Sequence, residues 1–141
     1  MEYKKIEVKK KPIFWRILPW LYRYTAQALY PSIYVSPEIY ENLQSKNPKQ
    51  KFIAVLEHER KHIERQKEMG LLVFGVKYLL SPKFRLNEEL VADKEAMRIY
   101  KRYKLSYDFD RTAHFLSSSL YLWMTSFENA KKELEKIWEE A

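Results

Sequence analysis

One long helix constrains this chain more than any other feature. Asn47-Pro48 is a helix-start signal and Gly70 a C-terminal stop, so a continuous helix is expected between them. At about 100° per residue, with His58 set to zero, one half-turn collects Phe52, Val55, Leu56, His58, Glu59, His62, Ile63 and Gln66. The other half collects Ile53, Ala54, Glu57, Arg60, Lys61, Glu64, Arg65 and Lys67. The helix is strongly amphipathic, and a glutamate and two histidines lie on its apolar face. A carboxylate there is costly unless something pairs with it.

His58-Glu59-Arg60-Lys61-His62 is an H-E-x-x-H pattern. Histidines four apart on a helix point the same way, one turn apart, so both imidazoles can reach one metal ion. Glu59 beside them can accept a proton from a water on that metal without filling the open position. The competing reading is a chance pentapeptide on a charged helix. That reading would place Glu59 among the lysines and arginines, where it does not fall.

A catalytic zinc site usually takes three protein ligands and keeps one position open. The metzincin continuation requires Gly and His where this chain has Arg65 and Glu68, so that class is excluded. Two adjacent glutamates follow, Glu88 and Glu89. A wheel centred on Glu89 carries Leu86, Leu90, Asp93, Ala96, Met97 and Tyr100, whereas Glu88 falls with Asn87, Glu95, Arg98 and Arg102. Glu89 is therefore the expected third ligand, and Glu88 is expected on the solvent side. Asp93, one turn on, could accept the other N–H of a metal-bound imidazole. The plainer reading of Glu89 and Asp93 is an acidic pair favoured by the helix dipole. For a donor to the developing oxyanion, His114, the last remaining histidine, is a candidate beside Tyr100, Tyr103 and Tyr107, although a structural or surface His114 is the favoured reading.

Together these residues resemble the gluzincin metallopeptidases, which combine H-E-x-x-H with a downstream E-x-x-x-D. Glu89-Leu90-Val91-Ala92-Asp93 is similar to the E-x-x-A-D form of the CAAX prenyl protease and heat-shock membrane peptidase group. Those proteins carry transmembrane helices. This chain looks more like the minigluzincins, short soluble versions of that domain, over roughly residues 28–105. The resemblance implies a zincin-like helical domain with a small sheet, whose edge strand binds an extended peptide by strand addition. Ile33 to Ser36 is the strand expected there. It also implies a latent form, with a C-terminal segment such as Ser126 to Ala141 covering the cleft.

The 141 residues fit one domain with a real core, expected to be mostly α (α+β in class). There is no cysteine, so a disulfide scaffold and a thiolate metal site are excluded. No apolar run is long enough to span a bilayer, and Arg16 and Pro19 break the longest N-terminal one, so neither a signal peptide nor a membrane span is expected. A cytoplasmic setting follows as an expectation. The net charge of +7, with abundant Lys and Glu and two glycines, has a thermophile-like bias.

Residues 1–12 read as a basic arm with weak strand alternation, and 13–30 as a short helix after Pro12 or Pro19. The arm with Phe14, Trp15 and Trp20 reads as a solvated lead into core aromatics. The alternative is a membrane-surface anchor or a nucleic-acid surface; nucleic acid is not the expected partner. Ser32 to Ser36, between Pro31 and Pro37, reads as an edge strand. Helices are expected to about Gln44, over 71–80 and 84–103, from Asp108 or Asp110 to about Thr125, and from Ser126 onward. The Tyr121-Leu122-Trp123-Met124 stretch reads as core or as a self-association face that would make a homodimer. The functional expectation is a zinc-dependent endopeptidase acting on peptide or protein substrates. A catalytically silent zinc-binding domain is the competing class.

Overall fold

A computed structural model describes residues 1–17 and 26–141. Pro19, Trp20 and Arg23, part of the expected N-terminal helix, lie outside the described residues. The fold is mostly α, of α+β class. Four strands, β1 (Glu2–Tyr3), β2 (Ile6–Lys10), β3 (Ala26–Leu29) and β4 (Ser32–Val35), form one sheet in the order β1-β2-β4-β3. The helices are α1 (Pro37–Leu43), α2 (Gln50–Met69), α3 (Leu71–Leu80), α4 (Pro82–Arg102), α5 (Phe109–Leu116) and α6 (Phe127–Glu140).

Local chemistry sets most of the boundaries. Ser36 and Ser81 each accept a backbone N–H at the start of a helix whose next residue is proline, opening α1 and α4. Asp108 and Ser126 cap α5 and α6 in the same way. Gly70 ends α2 at φ +89°, a conformation that suits glycine. The expected arm is a hairpin: Lys4 and Lys5, both at positive φ, form the two-residue turn between β1 and β2. The region after Pro12 is a 3-10 turn, Ile13–Ile17, and 26–29 is strand where helix was expected.

The expected edge strand is corrected by the sheet order. β4 is an interior strand, paired parallel with β2 and antiparallel with β3. Its alternating Ile33 and Val35 are fully buried against α2, and the flanking prolines end the strand rather than protect an edge. Among the described residues the edge strands are β1 and β3.

Helix α2 is central. One side packs on the sheet through Leu56 and Ile63, with Val8, Ile33, Val35 and Ile39. Another side packs along α4, where Ala54 meets Ala96 and Ile99. More than half its circumference is therefore covered, and α4 in turn packs against α2, α3 and α6, which corrects the wheel of each helix in one place. Glu57, on the charged half, is buried and accepts from Tyr3 Oη at 2.5 Å and Arg60 Nε at 2.7 Å. Glu88, expected in solvent, is 1% exposed and takes both Nε and Nη2 of Arg65 on α2, at 3.0 and 2.9 Å. A helix flanked on two sides buries both neighbouring stripes, provided that each charge finds a partner. Helices α5 and α6 close the other end of α4 over Met97, Leu116, Met124 and Leu134.

Leu56 joins the sheet to α2 and has no exposed surface. Leu56→Ala is expected to lower unfolding free energy by about 2–5 kcal/mol, read from a urea transition. An unchanged midpoint would contradict this packing.

Candidate metal centre

Three side chains from two helices converge. His58 and His62 sit one turn apart on α2, and Glu89 faces them from α4. Their Nε2 atoms are 3.2 Å apart. Glu89 Oε2 lies 3.3 Å from His58 Nε2, and Oε1 lies 3.3 Å from His62 Nε2. Tetrahedral coordination with bonds of about 2.0–2.1 Å places any two donors about 3.3–3.4 Å apart. The imidazole pair matches such an edge; the two Glu89 separations run from different carboxylate oxygens, and with one ligand atom from each residue the three donors lie within 4.8 Å of one another, so the group could hold a metal ion.

The surroundings fix the orientation of these donors. His58 Nδ1 lies 3.0 Å from Asp93 Oδ1, one turn after Glu89 on α4. That contact leaves the Nε2 lone pair of His58 directed at the other two donors, the usual role of a carboxylate behind a ligating imidazole. Asp93→Ala is expected to weaken metal affinity about 10–100-fold, measured by competition with a chromophoric chelator. Unaltered affinity would remove Asp93 from this role.

Tyr78, at the end of α3, donates to Glu89 Oε1 at 2.5 Å. Burial pushes the Tyr78 phenol well up, and the Glu89 carboxylate adds to the rise, so it remains a proton donor. Burial also acts to raise Glu89, but the two imidazoles outweigh it and hold that carboxyl well below the usual carboxylate range. Burial disfavours a charged His58, yet the Asp93 and Glu89 carboxylates raise its pKa above the ordinary value.

Glu59 is buried and lines the same cleft of about 350 Å³. Burial raises its pKa; His58, His62 and the Ala28 backbone amide act in the opposite direction. A buried carboxyl poised in this way is a reasonable proton acceptor. The opposite wall of the cleft is the β3 edge, Ala26 to Leu29. Gln66, two turns beyond His58, is buried and clamps that edge. Its Nε2 donates to the Ala28 carbonyl at 3.1 Å, and its Oε1 accepts the Tyr30 N–H at 2.8 Å.

Two expectations fail here. His114 is not brought to the cleft. Its helix, α5, packs on α6 rather than on α2, and the exposed ring stands 4.5 Å from that of Phe127. Tyr100, Tyr103 and Tyr107 do not line the cleft either; Tyr78 and Tyr121 do. Nor does Ser126 to Ala141 cover it. Helix α6 buries Ala130 and Leu134 against the α4–α5 end, and the wall on that side is Leu120 and Tyr121.

Helical spacing in the sequence carries a signal for Tyr78. Leu71, Phe74, Gly75 and Tyr78 fall at i, i+3, i+4 and i+7, one face of a helix, and all four line the cleft. Gln66 lay in the histidine half-turn, but its partner strand was not legible. Comparison of the chain with protein-family models, with curated proteins and with solved structures finds no match.

Proposed function

We propose that the chain is a zinc-dependent metallopeptidase with His58, His62 and Glu89 as ligands and Glu59 as the general base. The observation that carries this reading is the convergence of donor atoms from His58, His62 and Glu89 within 4.8 Å of one another, with Glu59 lining the same cleft. Two imidazoles and a carboxylate form a donor set that suits Zn2+. When bound, that ion polarises a carbonyl and acidifies a water at the open position.

The protein's own groups do the rest. Glu59 takes the proton of the attacking water and passes it to the leaving amine. Tyr121, which lines the cleft, is the candidate donor to a developing oxyanion in place of His114, because the Tyr78 hydroxyl is committed to Glu89. A peptide lying along β3 would pair with the edge of that strand that faces away from β4. The Gln66 clamp already holds Ala28 and Tyr30, so a peptide extending past Ala28 must displace it. This occupied edge, together with Leu120 and Tyr121 at the cleft, supports a second reading in which this form is latent. The resemblance to minigluzincins supports the peptidase class, and a cytoplasmic setting belongs to the same proposal.

A peptide-mixture digest with and without chelator tests the function. Metal-dependent cleavage is expected, at least after Gln66→Ala opens the edge. No cleavage by either form in the presence of zinc would reject the peptidase reading.

A further inference from the structure

Helix α3 is the least covered helix of the fold. Its residues Leu71 to Leu80 bury Phe74 alone, while Leu72, Leu79 and Leu80 are 80%, 63% and 74% exposed and Val73 and Val76 are also open. A second apolar group adjoins it. The buried Arg85 guanidinium donates to the carbonyls of Tyr78 and Leu79 at the end of α3 and, through Nε at 3.1 Å, to the Tyr121 carbonyl. One side chain thus pins the connection carrying Leu122 and Trp123 beside the end of α3. Both residues take left-handed backbone conformations, and the Trp123 indole is 73% exposed. Together they make an apolar surface larger than the isolated exposed side chains common on soluble domains.

The two segments that carry this surface, residues 69–87 and 111–127, hold no acidic residue, and the exposed Glu68 and Glu128 lie just outside them. Lys77 and Lys83 are exposed, and neither has a carboxylate partner among the described residues. An interfacial element has this character: aliphatic and Trp side chains facing outward, with lysine stems that lie along apolar surface and keep their ammonium groups at headgroup level. A ten-residue helix is about 15 Å long, too short to cross a bilayer but able to lie in its surface. A second copy of the chain is a poorer occupant. A two-fold contact on this face would set lysine against lysine with no acid in either segment to separate them.

We propose that the outward face of α3, with Leu122 and Trp123, docks the protein on anionic lipid bilayers. The inference does not depend on metal binding or on peptidase activity. Leu71, at the N-terminal end of this face, also lines the cleft, so a docked molecule holds the cleft at the bilayer surface.

Vesicle co-sedimentation tests it, using phosphatidylcholine with and without phosphatidylglycerol. The native chain is expected to sediment with the anionic vesicles at low salt and to be released by high salt. Leu72→Ser combined with Leu80→Ser and Trp123→Ser should raise the lipid concentration for half-binding about tenfold or more. Lys77→Glu with Lys83→Glu should weaken anionic binding without touching any buried side chain, which guards against a misfolded triple variant. No sedimentation of the native chain at low salt, or equal sedimentation of native and variants, overturns the proposal. So does a native dimer that the triple substitution makes monomeric, with no vesicle binding by either.

Discussion

Glu59→Gln is expected to abolish peptide hydrolysis, by a factor of about 10²–10⁴, while leaving metal content unchanged. The side chain is nearly isosteric and buried, so the helix and the cleft should persist. What changes is the ability to take a proton. The native carboxylate is flanked by His58 and His62 and by the Ala28 amide, all of which favour its charged, accepting form against the cost of burial. An amide has no such form. The three donor atoms do not include Glu59, so the separation of metal binding from turnover is the diagnostic part. Equal turnover in the variant would remove Glu59 from the mechanism, and loss of metal with turnover would make it a ligand or a structural residue instead.

The second large effect is on stability. Added zinc is expected to raise the thermal midpoint of the metal-free protein, and Glu89→Ala is expected to cancel that rise. A ligand that binds only the folded state at 100 times its Kd adds about 2.7 kcal/mol. For a domain of this size that corresponds to roughly 5–10 °C. Glu89 is the group to remove because it contacts both imidazoles and Tyr78 from a different helix. Metal held there ties α4 to α2, a link absent from the unfolded chain. The variant should lose more affinity than the roughly 10–100-fold expected when a supporting carboxylate is removed. A zinc-induced shift of the same size in Glu89→Ala would place the ion elsewhere.

Much of this site was legible because it is local. His58, Glu59 and His62 share one helical face, and helical periodicity separated Glu89 from Glu88 as the inward residue. The same wheel misjudged Glu88 itself. Periodicity assumes one buried side, and α4 is covered on both, so Glu88 is buried under Arg65. The helix caps at Ser36, Asp108 and Ser126 are readable because each acts within its own turn, whereas the helix expected from Phe84 starts at Pro82 under a Ser81 cap.

What escaped depends on partners distant in sequence. Ala26-Gln27-Ala28-Leu29 has little strand character by composition. It is held as the edge by pairing with β4 and by Gln66 from α2. Ser32 to Val35 was recognised as a strand but misplaced, because nothing in its own residues records that Ile6–Lys10 returns to pair with it in parallel. Nothing in the sequence around His114 ties it to the cleft, and the helix that carries it packs on α6. Among the described residues, no helix is long and apolar enough to cross a membrane, as expected.

Elemental analysis of the purified native chain beside His58→Ala and Glu89→Ala tests the central claim most directly. The account predicts one zinc per native chain and little in either variant. A native chain that takes up no metal when zinc is supplied, or variants that retain it in full, would contradict it.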